Sequence, residues 1–185
     1  MTKTEARKLA KSRRAAVDLH TVGHAMAGVL FTLPAWCRAD TVLAFASMPD
    51  EPDTAEILQQ TLADGKRLLL PRVLSRTEMD WVEISSLSQL RPGAYGILEA
   101  PANLPAFDTA ALDGGALALI PCLAASPDGV RLGRGGGYYD RFLAYYKGAG
   151  LLLCPEALLL DELPCDDWDA RFAPENILTE KGILR

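Results

Sequence analysis

Four short stretches of this chain are apolar with almost no polar face: residues 41–46 (Thr-Val-Leu-Ala-Phe-Ala), 67–71 (Arg-Leu-Leu-Leu-Pro), 116–120 (Ala-Leu-Ala-Leu-Ile) and 151–154 (Leu-Leu-Leu-Cys). Strands of this kind must be buried on both sides, as in a parallel sheet sandwiched between helices. The connections agree with that reading. Between the first two strands, Asp53 and Glu56 have the spacing of a capping box, which predicts a helix running to Asp64 and ended by Gly65. A strand–helix–strand unit implies parallel pairing with a right-handed crossover. Ligands of such sheets sit beyond the C-terminal strand ends, where the 47–53 loop lies.

Upstream, residues 3–17 are good helix formers with a basic face (Lys3, Arg7, Lys8, Lys11, Arg13, Arg14), which by itself reads as solvated. Residues 18–33 place Val22, Met26, Val29, Leu30 and Leu33 on one helical stripe, with Pro34 closing the helix. His20 and His24 are one turn apart, but no Glu or Cys nearby completes a zinc set, so they read as ordinary helix histidines. Residues 79–84 alternate and predict a half-exposed strand; residues 102–115 read as a surface connection and 177–180 as a closing strand. No internal repeat or linker divides the 185 residues, so one domain is expected.

The net charge of −5 argues against broad nucleic-acid binding, which needs a basic face. Cys37, Cys122, Cys154 and Cys165 show no Cys-x-x-Cys pair and read as reduced thiols. There is no N-terminal h-region and no apolar run of about 18 residues. A monomeric, soluble, cytoplasmic protein without a membrane partner is therefore expected.

The chemistry is concentrated in Arg131-Leu132-Gly133-Arg134-Gly135-Gly136-Gly137-Tyr138-Tyr139-Asp140-Arg141. Glycines at four of five positions let consecutive N–H groups turn into one concavity, an anion nest. Arg131, Arg134 and Arg141 add forked, permanently charged donors suited to phosphate oxygens. Residues 138–146 read as a helix, whose N-terminus would add its dipole. On composition alone, a polyphosphate site and a plain glycine turn with solvated arginines stand about even; the three arginines, two tyrosines and aspartate favour the site. Neither common nucleotide fingerprint is present: no Lys-Ser/Thr follows the glycines, and Tyr138 stands where a dinucleotide loop needs glycine.

Together with Ile120-Pro121 and Asp128-Gly129-Val130, this run resembles the signature of the 5-formyltetrahydrofolate cyclo-ligase family, also called methenyltetrahydrofolate synthetases. Similar segments follow the family's order from Lys3 to Glu180. Lys3 and Arg7 match its Lys-x-x-x-Arg on the first helix; Ser47-Met48-x-Asp50-Glu51-x-x-Thr54 matches its folate loop; Pro71-Arg72 and the 177–180 strand also correspond. Pro92 to Pro101 resembles its Tyr-Gly-Ile-Pro-Glu-Pro loop, with Leu98 in place of the first proline. The sequence departs from the family at 121–126, where Pro-Gly-x-Ala-Phe-Asp becomes Pro-Cys-Leu-Ala-Ala-Ser.

The resemblance implies an α/β fold: a single three-layer α/β/α, Rossmann-like domain with a mostly parallel sheet. It implies ATP- and Mg²⁺-dependent closure of 5-formyltetrahydrofolate to 5,10-methenyltetrahydrofolate. It assigns ATP to Lys3, Arg7, Arg131, Leu132, Gly133, Arg134, Gly135, Gly136, Gly137, Tyr138 and Tyr139. Folate falls to Ala46, Glu51, Tyr95, Tyr138 and Tyr139, with Tyr139 left open between the two ligands. Arg134 and Tyr139 are the expected catalytic residues. Asp140 and Asp169 are the expected metal ligands, with Asp166 and Asp167 as competitors for Asp169. Two other readings stay open: a non-catalytic folate- or nucleotide-binding relative, suggested by the altered 121–126 loop, and a protein gripping single-stranded nucleic acid with its Arg/Tyr loop.

Overall fold

The computed structural model describes residues 1–92, 98–112 and 114–185. Tyr95 lies outside the described residues. The helices are α1 (Lys3–Arg14), α2 (Leu19–Thr32), α3 (Pro34–Arg38), α4 (Ala55–Ala63) and α5 (Tyr138–Leu143). The strands are β1 (Thr41–Leu43), β2 (Arg67–Val73), β3 (Met79–Ile84), β4 (Arg91–Pro92), β5 (Leu98–Glu99), β6 (Ala116–Pro121), β7 (Ala124–Ala125), β8 (Arg131–Leu132), β9 (Ala149–Leu153), β10 (Ile177–Thr179) and β11 (Gly182–Ile183).

Seven strands form one sheet in the order β11-β10-β9-β6-β1-β2-β3. The five inner strands are parallel, and β3 and β11 close the two edges antiparallel. The chain leaves β1 towards β2 on one side and later returns to β1's other side with β6. The reversal opens a crevice beyond the C-terminal ends of β1 and β6, the place where doubly wound sheets hold ligands.

Alternate residues of each strand enter two separate cores. Val42, Leu68, Leu70, Leu117 and Leu119 pack under α2, α3 and α4, with Met26, Leu30 and Ile57. Leu43, Leu69, Ala118, Ile120 and Leu152 face the other layer, which is thin: Phe142 of α5 with Leu158 and Phe172 from irregular segments. Helix α1 covers neither face. Ala6 and Ala10 instead pack on Ala124, Leu132 and Leu160, bracing the β7–β8 hairpin.

Local expectations changed in four places. Pro34 opens a helix instead of closing one: α2 ends at Thr32, Leu33 is extended, and Pro34 sits in the first turn of α3, where its missing N–H goes unused. The Asp53–Glu56 capping box does not form. Thr54 occupies the cap, its hydroxyl donates to Phe45 O (2.7 Å), and Glu56 pairs with His24 across to α2 (2.6 Å). β3 is not half-exposed, because Trp81 packs against Phe142 on one face and Val82 enters the other core. The helix expected over 138–146 stops at Leu143.

Candidate active site

The glycine-rich turn is aimed by the β7–β8 hairpin. Gly129 turns that hairpin at φ +88°, a conformation that favours glycine, and a Cβ there would overlap Phe172 O. Phe172 N–H donates to Gly129 O (2.9 Å), tying the hairpin to the 171–172 segment. Beyond β8 the chain runs through Gly133–Gly137 into α5, capped by Gly137 at φ +65°. At six residues, α5 is too short to bring the dipole expected of a longer helix.

Two cavities, of about 330 and about 570 Å³, lie on opposite sides of this turn. Arg131, Gly133, Gly135, Gly136, Gly137 and Asp140 line both, so the turn is a shared wall. The first cavity occupies the β1/β6 crevice and is lined by Ala46, Glu51, Tyr138, Tyr139 and Arg134, with apolar Met48, Leu70 and Met79. The second is lined by Lys3, Arg7, Leu132, Asp166 and Asp169. Every described residue assigned above to ATP, folate or metal thus lines one cavity or both, as does Asp166, whereas the competing Asp167 lines neither. Arg134, Tyr138 and Tyr139, expected on the nucleotide, are on the first cavity only.

Glu51 is 8% exposed and accepts the Met48 N–H (3.0 Å), which fixes its carboxylate inside its own turn. Arg134 donates to Glu51 Oε1 through Nε (3.1 Å) and Nη2 (3.0 Å), and through Nη2 to Asp50 Oδ1 (2.5 Å). Burial works against the Arg134 charge, but the two acids outweigh it and raise its pKa. Burial likewise opposes ionisation of Asp50, yet Arg134 and Arg14 hold its carboxyl below the ordinary value. The Tyr138 hydroxyl donates to Ser75 O (2.8 Å). The Tyr139 ring meets Trp81 edge-on (centroids 6.3 Å apart) and faces the Arg131 guanidinium (5.8 Å). Burial, then the charge of Glu51, push the Tyr139 phenol well above its ordinary pKa, against a smaller opposing pull from Arg131. It stays protonated, so its hydroxyl is available as a hydrogen-bond donor.

On the other side, Lys3 Nζ donates to Asp166 Oδ2 (2.7 Å) and Asp169 Oδ2 (2.5 Å). Asp169 also accepts the Asp166 N–H (2.7 Å). Burial would raise the Asp169 pKa, but that N–H and the Lys3 ammonium hold it below the usual carboxylate range. Arg7 Nε donates to Gly133 O (3.0 Å), so α1 grips the turn directly. Arg131 pairs with Asp140 (2.8 Å) and donates to Pro121 O (3.1 Å). Arg141 folds back on Gly136 O (2.7 Å) and over the Tyr138 ring.

Asp140 and Asp169 therefore line one cavity, each against a cation. Among the described residues no three His, Cys, Asp or Glu side chains cluster as a metal cage. Magnesium does not need one: it is held by one or two carboxylates together with substrate phosphates, so this donor pair fits it. His20 and His24 are exposed and pair with Asp53 (2.9 Å) and Glu56 (2.6 Å), joining α2 to the α4 region.

One residue placed on the solvated basic face belongs elsewhere. Arg14 is 3% exposed. Its Nη2 donates to Cys122 O (2.7 Å) and Leu123 O (3.1 Å), and its Nη1 to Asp50 O. It fastens the altered 121–126 loop to the turn carrying Glu51. The signal was the spacing Ala6-Ala10-Arg14, which continues the one buried stripe of α1.

With this geometry in view, comparisons with known proteins converge. The chain matches the 5-formyltetrahydrofolate cyclo-ligase family over residues 2–180. It is 32% identical over 154 residues to a 5-formyltetrahydrofolate cyclo-ligase of Mycolicibacterium smegmatis, covering 78% of this chain and 76% of that protein. It is 35% identical over 137 residues to the Mus musculus enzyme of that name, covering 69% and 68%. The solution structure of Aquifex aeolicus 5,10-methenyltetrahydrofolate synthetase superposes with TM-score 0.83 at 27% identity, covering 100% of this chain and 93% of that one.

Proposed function

Because the chain belongs to the 5-formyltetrahydrofolate cyclo-ligase family, we propose that it closes 5-formyltetrahydrofolate to 5,10-methenyltetrahydrofolate with ATP as phosphoryl donor. The observation that carries this reading is the glycine-rich turn standing as a common wall between a largely apolar cavity holding Glu51 and a charged cavity holding Lys3 and Arg7.

The folate occupies the first cavity. Glu51, already accepting one backbone N–H, offers its carboxylate to the pterin N–H groups. Ala46 lines the same wall. Tyr95 is assigned to the folate through the family resemblance. The triphosphate lies in the second cavity against the amides of the turn, with Arg131, Lys3 and Arg7 supplying positive charge.

An amide oxygen is a poor leaving group, so the formyl oxygen is phosphorylated first. That O–P bond forms as the bond to the β-phosphate oxygen breaks and ADP departs. N10 then attacks the activated carbon, losing its proton, and the C–O bond breaks with release of phosphate. The protein's part is alignment and charge neutralisation. Arg134, tethered to Glu51 from the turn itself, would offer its guanidinium from the folate side of the wall. Tyr139, held protonated, donates without accepting the proton. Asp140 and Asp169 would hold Mg²⁺, which offsets charge on the phosphate oxygens when bound.

The protein is further proposed to act as a single monomeric domain in the cytoplasm, with small-molecule partners and no nucleic acid or membrane. The net charge of −5 and the four free cysteines support this, and among the described residues no helix is long and apolar enough to cross a membrane.

The deciding experiment is direct: purified protein with Mg-ATP and 5-formyltetrahydrofolate should generate the strongly absorbing methenyl product. No absorbance rise above the enzyme-free control defeats the reading; folate binding without turnover would point to a non-catalytic relative.

A further inference from the structure

The wall of the first cavity contains a thiol that neither the binding of folate nor the transfer chemistry uses. Cys122 follows directly on β6 and lines that cavity. Cys154 follows directly on β9. The two strands are parallel, and their last registered pair is Pro121 with Leu153. The next step in register sets Cys122 beside Cys154. Neighbouring strands lie about 5 Å apart, within the roughly 4.4–6.8 Å between Cα atoms that a disulfide spans. Residues in register on parallel strands face the same way, and both cysteines belong to the same core cluster. The Cys122 thiol reaches across to Leu153 O (3.3 Å), the carbonyl immediately before Cys154.

We propose that Cys122 and Cys154 are a thiol–disulfide pair, oxidised by a small peroxide that enters the first cavity, and that the disulfide slows the enzyme by pulling the cavity wall inward. Cys122 is the entry point because it lines the cavity, whereas Cys154 is sealed in the core. Its thiolate sulfur attacks one peroxide oxygen: the S–O bond forms, the O–O bond breaks, and hydroxide leaves to become water. The Cys154 sulfur then attacks the sulfenic sulfur: the S–S bond forms, the S–O bond breaks, and water leaves with the Cys154 proton. Two thiols and one peroxide give one disulfide and two waters. Burial, and then the Cys122 side chain beside it, raise the Cys154 pKa and keep that thiol protonated at rest.

The bond would draw Cys122 towards β9. Arg14 ties that movement to the folate turn, since one of its nitrogens holds Cys122 O and the other holds Asp50 O, next to Glu51. The disulfide itself does not depend on the proposed activity; its effect on turnover does.

The test uses the full chain carrying Cys37→Ser and Cys165→Ser, which removes the two more accessible thiols. The protein is treated with hydrogen peroxide, alkylated and mapped by mass spectrometry. The expected result is a linked Cys122–Cys154 peptide and no alkylation of either residue. Turnover should fall on the order of tenfold, as follows from misplacing a positioned wall, and dithiothreitol should restore it. Adding Cys154→Ser should leave a Cys122 sulfenic acid that dimedone traps. Both thiols remaining alkylatable, or Cys122 oxidised without a linked peptide while Cys154 is present, overturns the pair. A linked peptide with unchanged turnover overturns the effect on the cavity. If the reduced protein shows no turnover, the proposed function fails while the peptide map still decides the disulfide.

Discussion

Arg134 and Glu51 lie 83 residues apart in the chain, yet two guanidinium nitrogens meet one carboxylate oxygen at 3.0 and 3.1 Å. The contact fastens the turn proposed to hold phosphate to the loop proposed to hold folate. Both side chains line the first cavity, so one charge pair ties the glycine-rich turn to the Glu51 loop there, and altering either residue removes that tie.

Arg134→Ala should lower kcat/KM by about two to three orders of magnitude, the loss seen when a charge-stabilising donor is removed from a phosphoryl-transfer site. Arg134→Lys should recover only part, since a lysine cannot make the forked contact with Glu51 and Asp50. Initial rates of methenyl formation check both. Equal rates for wild type and Arg134→Ala would remove Arg134 from the mechanism.

Lys3→Met should raise the KM for ATP on the order of tenfold, and should cost about 1 kcal/mol of stability by unpairing Asp166 and Asp169. The stability part has a defined pH window. Asp169 is held below its ordinary 3.8, so its contribution is present above that pH and is lost as pH falls through the lower folded value. Lys3 is raised above 10.5, so its contribution is complete below that pH and is lost as pH rises through the higher folded value. Urea melts should show a constant gap between wild type and variant from about pH 5 to 9, closing in acid. A gap that does not narrow as the pH falls below 3.8 would contradict the assignment.

Gly129→Ala should destabilise the fold by more than about 3 kcal/mol, because a strained φ combines with a Cβ overlapping Phe172 O, a backbone atom. Gly28→Ala, where a Cβ meets nothing within 4 Å, is the matched control and should be neutral or slightly stabilising. Thermal unfolding of the two variants makes the comparison; similar Tm values would refute it.

Arg14→Met should cost about 3 kcal/mol, since it leaves the buried carbonyl of Cys122 and the partly buried carbonyls of Leu123 and Asp50 without their donor. In whatever fraction folds, the KM for 5-formyltetrahydrofolate should rise more than the KM for ATP, because Arg14 braces the loop before Glu51 and touches nothing on the nucleotide side. Denaturant titration together with a two-substrate kinetic grid tests this.

The parallel sheet was legible because burial on both faces leaves an unmistakable mark in 116–120 and 151–154. The glycine-rich turn was legible because few other sequences permit that backbone. What could not be read were choices made by distant partners. Glu56 has a capping spacing, but His24 on another helix claims it. Trp81 sits in an alternating strand, yet Phe142, sixty-one positions on, covers it. The charges of α1 did not themselves separate Lys3 and Arg7, which line a cavity, from Arg14, which is buried; the family's Lys-x-x-x-Arg spacing marked the first two, and the Ala6-Ala10-Arg14 spacing was the only sign of the third. Charge alone does not distinguish a solvated arginine from one that finds three carbonyls. Arg134 shows the same limit: its place in the motif pointed to phosphate, and only the fold set it against Asp50 and Glu51.

The partition between the two cavities is made largely of glycine. Its glycines carry no side chain to absorb a change on either side. A compound that swells one chamber would have to bow the backbone into its neighbour. An inhibitor built for the first cavity should therefore alter nucleotide affinity through the backbone that the two cavities share.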